Sequence, residues 1–189
     1  MQKIKELKCV LCGKTYKENE AKYVCHACGE DGLLDVVYDY EAIALKFNRQ
    51  TLAQNSDKSI WRYAPILPIE EEPSAYLPLQ IGWTPLYKSQ RLNDFLGLKH
   101  LYIKDDGRNP SASFKDRASS IGIVRARAAG EKLITAASTG NAASSLSCLC
   151  ASVGMPTIIF VPQTAPKAKI AQLLIFGSRV FMVKGISFI

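Results

Sequence analysis

The last ninety or so residues alternate between short apolar runs and stretches of helical spacing, and this alternation restricts the fold more than any other feature of the chain. The segments 100–104 (HLYIK), 132–137 (KLITAA), 157–161 (TIIFV) and 179–183 (RVFMV) have the length and the β-branched and aromatic content of strands. Between them, residues 115–129, 141–153 and 166–176 are spaced as helices. Strand, helix and strand at this pitch predict βαβ units and a parallel sheet, hence an α/β fold. Such sheets bind ligands where strands feed helices, so chemistry is sought in those connections.

Composition narrows the remaining classes. The 189 residues are 48% hydrophobic and 22% charged, which excludes wholesale disorder, collagen and coiled coil. No apolar run approaches the ~18 residues of a membrane span, and the opening MQKIKELKCV lacks the apolar core of a secretory signal. A cytoplasmic protein without a membrane partner is expected. Residues 1–100 hold 13 basic and 13 acidic side chains, whereas 101–189 hold 11 and 4, so the whole net charge of +7 lies in the second half. A basic half permits nucleic-acid binding. Here the cations form no dense run and no aromatic platform interleaves them, so small anionic ligands fit better and no nucleic-acid partner is expected. A missing acidic partner segment would also leave such an imbalance.

Four of the six cysteines fall as Cys9-Val-Leu-Cys12 and Cys25-His-Ala-Cys28, twelve residues apart. Without a secretory signal they read as metal ligands rather than disulfides. Each C-x2-C turn offers two thiolates, and two such turns close a tetrahedron. Gly13 and Gly29 follow the pairs, where a tight knuckle favours a residue without Cβ. The intervening segments are strand-like, and the whole resembles a zinc ribbon with a slightly short spacer. Four sulfurs fill the coordination sphere, so the zinc is expected to be structural, with His26 exposed. A metal-free relic and a rubredoxin-type iron site are the alternatives. Cys148 and Cys150 lie in a helix rich in small residues, about 200° apart around its axis; core packing is expected of them.

From Glu41 to Leu79 the pattern loosens. EAIALKFNRQTLAQ suits one short helix, and five prolines between Pro65 and Pro85 suggest an extended arm rather than a core element. Glu70, Glu71 and Glu72 form a solvated face. Residues 89–98 are spaced as a helix ending at Gly97. The expected organisation is a four-cysteine module over 1–40, an arm and linker with a short helix over 41–99, and an α/β domain over 100–189.

Two strand-to-helix connections carry candidate chemistry. In Asn109-Pro110-Ser111-Ala112-Ser113-Phe114-Lys115-Asp116-Arg117, proline and serines make a turn and Lys115 falls in the first helical turn. The helix dipole disfavours a cation there. A lysine retained at that point, under Phe114, would have a depressed pKa and could act as a nucleophilic amine. An exposed lysine offset by Asp116 is the other reading. In Ser138-Thr139-Gly140-Asn141-Ala142-Ala143, Gly140 permits a sharp turn, and the free N–H groups of the helix start, with two hydroxyls beside them, form an anion site. Plain capping by Asn141 is the alternative. No dinucleotide fingerprint or P-loop occurs.

NPSASFKDR followed by ASTGNAA resembles the pyridoxal-phosphate enzymes of fold type II, the tryptophan-synthase-β superfamily, and GWTPL (82–86) is similar to the Thr-Pro-Leu motif that precedes their lysine. With a four-cysteine ribbon ahead of GLLDVVYDY, the chain is most similar to the threonine synthases. The resemblance runs from Cys9 to about Lys184. It implies that Lys115 holds pyridoxal 5'-phosphate covalently and later serves as acid and base. It implies that Asn141 hydrogen-bonds the 3′-oxygen of the pyridine ring. Ser138, Thr139, Gly140 and Asn141 would surround the substrate carboxylate, and Ser138 would also reach a substrate phosphate. Phe114 and Asp116 would position the lysine turn. Ser111 stands where many relatives have Thr, and Ala142 where some have a phosphate-contacting Thr.

The implied reaction converts O-phosphohomoserine and water to L-threonine and phosphate, a lyase activity on a small amino-acid substrate. A homodimer stays open for the full-length form. Relatives hold the cofactor phosphate in a glycine-rich loop far downstream, whereas Gly154, Gly177 and Gly185 do not cluster. The chain is therefore expected to be the incomplete N-terminal part of a longer enzyme, inactive alone and prone to aggregate. Cysteate synthase and threonine dehydratase are alternatives within the superfamily, although typical dehydratases lack the ribbon. A non-catalytic zinc-ribbon protein that binds nucleic acid, and a truncated inactive product, are alternatives outside it.

Overall fold

The computed structural model describes residues 3–21 and 23–184. They form two compact units. One comprises residues up to Asp57 with Arg62–Glu71, the other Lys58–Trp61 with the residues from Glu72 onward. The closing segment 185–189, on which the expectation of an unfinished chain partly rests, lies outside the described residues.

In the first unit β1 (Ile4–Cys9), β2 (Thr15–Tyr16), β3 (Val24–Cys25) and β4 (Gly29–Tyr38) form an antiparallel sheet of order β2-β1-β4-β3. In the β1–β4 register Leu7 lies opposite Val36, and Cys9 opposite Leu34. Alternation along β1 buries Leu7 and Cys9 and exposes Lys8 between them. Tyr16, Ala21 and Cys25 complete a small core, with Leu34 and Val36 packed on it. Few aliphatic groups are present, and two of the buried members are cysteines, so apolar burial alone is a thin source of stability here.

The stretch expected to be one helix is two, α1 (Tyr40–Ala44) and α2 (Arg49–Gln54). Asn48 is the reason. Its side-chain oxygen accepts the Gln50 and Thr51 N–H groups at 2.9 and 3.0 Å, while the Thr51 hydroxyl accepts the Asn48 N–H, so a new helix starts there.

The 41–99 stretch also contributes core, contrary to the reading of an arm without it. Ile60, Trp61, Ile69, Leu77 and Ile81 are buried, and the Trp61 ring stacks on Tyr76 with centroids 4.6 Å apart. Prolines break regular hydrogen bonding but leave aromatic and aliphatic side chains free to pack. Glu70, Glu71 and Glu72 are exposed as expected.

In the second unit β5 (Leu86–Lys88) is followed by α3 (Gln90–Leu96), which stops at Gly97 as expected. β6 (Tyr102–Lys104) then pairs antiparallel with β5. The 100–104 segment thus lies outside the parallel sheet it was expected to join. All three β6 residues are exposed, so no buried face ties this strand to that sheet. The parallel sheet itself has the order β7-β8-β9, formed by Ile134–Ala137, Thr157–Pro162 and Arg179–Val183. The connecting helices are α5 (Asn141–Ala151) and α6 (Lys167–Ile175), and α4 (Lys115–Ala128) precedes the sheet and packs on α5. All three begin and end within a few residues of expectation.

Ile159 and Val161 of the central strand are fully buried against Ala143, Ala165 and Leu173. α5 meets its neighbours largely through small and hydroxyl side chains. Ser147 Oγ accepts from Ser178 Oγ at 2.7 Å, Ser178 pairs with Thr157 Oγ1 at 2.5 Å, and Ser144 Oγ donates to Gln172 Oε1 at 3.0 Å. Buried hydroxyls paired in this way avoid the cost of lone polar groups. Cys150 is core, as expected, and burial pushes its thiol up to about 12. Cys148 is half-buried and is raised by burial and then by the charge of Asp116.

Candidate functional site

The two knuckles of the first unit bring Cys9, Cys12, Cys25 and Cys28 together, with all four sulfurs within 4.8 Å of one another. Cys12 Sγ and Cys25 Sγ are 3.7 Å apart. Four sulfurs bound tetrahedrally at the usual zinc–sulfur length would be about 3.8 Å apart, a spacing this pair matches, and the donor set suits zinc. Gly13 and Gly29 take left-handed backbone at φ 73 and 63, the conformation a tight knuckle asks of glycine. His26 is exposed.

Two features of this cluster are not legible from the spacing. A Cβ on Gly32 would lie 2.6 Å from Cys28 Cβ and 2.7 Å from Cys25 Cβ, so only glycine fits behind the second knuckle. Tyr16 Oη lies 3.0 Å from Cys25 Sγ and accepts the His26 N–H at 3.2 Å, which leaves its own proton for the sulfur. That hydrogen bond draws the Cys25 thiol down to about 6. The Cys12 backbone N–H lowers Cys9, whereas hydrogen bonding to Cys12 pushes Cys28 up to about 12. Crowded thiols cannot all ionise without a cation among them.

In the second unit Lys115 is the first residue of α4, half-buried, with Nζ 5.0 Å from the Phe114 ring centroid. Phe114 occupies the cap position without capping, and Ser113 Oγ accepts the Lys115 N–H at 3.2 Å. Asp116 is fully buried, and its carboxylate accepts the Ser111 N–H at 2.7 Å and the Ser111 hydroxyl at 2.5 Å. The hydroxyl that Ser111 keeps in place of Thr therefore closes the loop on itself.

Ser138, Thr139 and Gly140 follow β7 and are half-buried. Gly140 is the cap of α5, and Asn141 is the first residue inside the helix rather than the cap. Ser138 Oγ accepts the Gly140 N–H at 3.2 Å. The first intrahelical bond runs from Ser144 N–H to Gly140 O at 3.2 Å, so the amides of residues 141–143 precede it at the helix start. Asn141 is exposed, and its Oδ1 accepts from Lys169 Nζ at 3.4 Å. β7 and β8 run parallel, so α5, which connects them, begins on the side where these strands end.

A polar network joins the Lys115 loop to the GWTPL segment. Asn109 Oδ1 accepts the Gly82 N–H at 2.9 Å. Arg117 Nη2 and Nε donate to the two oxygens of Asp106 at 2.9 and 3.0 Å, and Thr84 Oγ1 donates to Asp106 Oδ1 at 2.6 Å. The Arg117 hydrogen bonds hold the Asp106 carboxyl at about 2. Sequence reasoning singled out both motifs but missed Thr84 and Asp106 as members of one cluster. The signal available was an arginine two residues beyond the candidate lysine and an aspartate shortly before the loop.

Residues 77–187 match the model of the family described as "Pyridoxal-phosphate dependent enzyme". The threonine synthase of Methanosarcina acetivorans is 39% identical over 180 residues, 95% of this chain and 42% of the relative. That of Methanocaldococcus jannaschii is 40% identical over 179 residues, 94% of this chain and 43% of the relative. The chain thus spans about two-fifths of the length of these curated relatives. Among solved structures, maize serine racemase superposes with a TM-score of 0.51 at 24% identity, covering 55% of this chain and 31% of that one. A pyridoxal 5'-phosphate-dependent aspartate racemase gives 0.50 at 24%, covering 53% and 32%. The fold is accordingly the α/β arrangement of fold type II, and the chain belongs to the family of pyridoxal-phosphate-dependent enzymes.

Proposed function

We propose that this chain works as part of a threonine synthase, a lyase that turns O-phosphohomoserine and water into L-threonine and phosphate. The observation that carries the reading is the likeness to two threonine synthases over 94–95% of the chain, a span too long to leave out the four-cysteine unit. The solved structures of other pyridoxal-phosphate enzymes cover only 53–55% of the chain, so the first unit supports this choice over threonine dehydratase. Cysteate synthase is the reading it leaves nearest.

Pyridoxal phosphate, when bound, supplies an electron sink for carbanions next to its imine. Lys115 would hold it and carry protons between substrate carbons at its Nζ. The half-buried position of that amine at a helix start, beside an aromatic ring, suits both tasks. Asn141 would hydrogen-bond the ring oxygen. Ser138, Thr139 and the amides at the start of α5 would orient the substrate carboxylate, an anion matched to the positive helix end. Cys9, Cys12, Cys25 and Cys28 would hold a structural zinc ion, all four positions being filled by sulfur. A cytoplasmic location agrees with this role; among the described residues no helix is long and apolar enough to cross a membrane.

The test uses protein of the relatives' full length. Borohydride reduction should fix one pyridoxyl group on Lys115, seen by peptide mass, and O-phosphohomoserine should yield threonine and phosphate in equal amounts. A colourless protein with no adduct would overturn the reading. An adduct without threonine would favour another member of the superfamily. The 189 residues alone are expected to show neither tight cofactor binding nor turnover.

A further inference from the structure

We propose that Thr84, Asp106 and Arg117 form a positioning clamp that fixes where the Lys115 amine points. The inference deepens the reading of Lys115 given above and rests on it.

The loop that delivers Lys115 is anchored on both sides. Ahead of it, Asn109 is buried; its Oδ1 takes the Gly82 N–H at 2.9 Å, and its Nδ2 donates to Asp106 O at 2.9 Å. Behind it, Arg117 closes a two-pronged ion pair on Asp106, and the buried Thr84 hydroxyl donates to the same carboxylate at 2.6 Å. A forked pair of this kind fixes orientation as well as distance. Lys115 sits between these anchors, two residues from the guanidinium. Thr84 therefore bears on the lysine from 31 positions away, through Asp106 and Arg117.

Backbone strain marks the same two segments. Among the described residues, the non-glycine residues with left-handed backbone are Trp83 at φ 52 and Ala112 at φ 58, one in each of the loops that the clamp joins. Side chains adopt this conformation at a cost, and it persists where the surroundings over-determine it. Gly82 adds a spatial constraint. Its backbone is left-handed at φ 83, and a Cβ there would lie 2.7 Å from Ile60 Cγ2 and 3.1 Å from Arg117 Nη1, so a side chain would clash with Ile60 and crowd the guanidinium. A loop needing only to be stable would not gather its strain and its one forked ion pair around a single amine.

Thr84→Val and Thr84→Ser, made in protein of full length, test the clamp. Valine keeps the shape and loses the hydroxyl, whereas serine keeps the hydroxyl. Thr84→Val should lower kcat and the rate of borohydride-trapped labelling of Lys115 by pyridoxal phosphate about tenfold each, the usual worth of one hydrogen bond to a charged group. KM should hold, because the substrate carboxylate site on α5 is untouched. Thr84→Ser should restore both rates. If valine leaves labelling and kcat at wild-type values, or if serine is as impaired as valine, the clamp is refuted. A merely structural role would lower the melting temperature and leave both rates of the folded fraction alone. Should the valine variant not fold, Arg117→Lys keeps the charge and loses the fork, and the same split is expected of it. If wild-type protein is itself not labelled at Lys115, the functional reading fails and takes the clamp with it; labelling of wild type with no response in the variants sinks the clamp alone.

Discussion

The two units solve the problem of holding a few side chains in place by opposite means. The first gathers four sulfurs through two local turns and has little apolar material behind them. The second buries aliphatic strands and helices and lets the packed scaffold present two helix starts. In the first, the order of the fold would depend on a metal held by the sulfurs; in the second, the site depends on the fold. Loss of ligand should therefore act on structure in one unit and on chemistry alone in the other.

Chelation should break the comparison most visibly. Structural zinc contributes on the order of 10 kcal/mol in small modules. Stripping the metal should collapse amide-exchange protection over residues 3–57 and leave protection over β7, β8 and β9 in place; equal loss in both units would end the distinction. Next in size, Lys115→Ala should cut turnover by roughly a thousandfold or more while metal content stays at one zinc per chain. A matching fall in zinc would show that the two sites are not independent. Leu173→Ala, in the packed core of the second unit, should cost about 2–5 kcal/mol in denaturant unfolding. Gly32→Ala should cost about 1–3 kcal/mol through the clash with Cys25 and Cys28, and should weaken metal retention in a chelator competition.

The smallest effect concerns acid. The Asp106 carboxyl is lowered from 3.8 to about 2 in the fold, so its contribution is fully present above about pH 4 and fades as the pH falls towards 2. The ion pair is a quarter to a third exposed, so solvent screens it and the dip should be slight. Asp106→Asn should remove the dip from acid-denaturation curves; a dip unchanged by the substitution would mean that other carboxylates carry it.

What could be read from sequence follows the same division. The four cysteines declare themselves because metal spacing is local, and Gly13 and Gly29 sit where knuckles require them. The bounds of α4, α5, α6 and β9 follow from periodicity sustained over whole elements. β6 is read as a strand, but its pairing escapes because its three exposed residues carry no facial pattern and its partner β5 precedes it across α3. The break before α2 hides in one asparagine whose capping role competes with a continuous helical pattern. The buried Trp61, Leu77 and Ile81 were obscured by prolines that stop regular structure without stopping burial. Thr84 and Asp106 are ordinary polar residues until the fold brings them together across 22 positions, and no local rule anticipates that meeting.

The hydroxyl contacts along α5 carry a consequence of their own. Bulky side chains lock a helix by interdigitation, and α5 has few of them, Leu149 chief among those buried; its serines and alanines offer a smoother surface. What resists sliding along that surface is directional, the relay from Thr157 through Ser178 to Ser147 and the bond from Ser144 to Gln172. The aim of the amides at the mouth of the rod is thus steered by hydroxyls on its first two turns, Ser144 and Ser147, which are held in turn by Gln172 and Ser178.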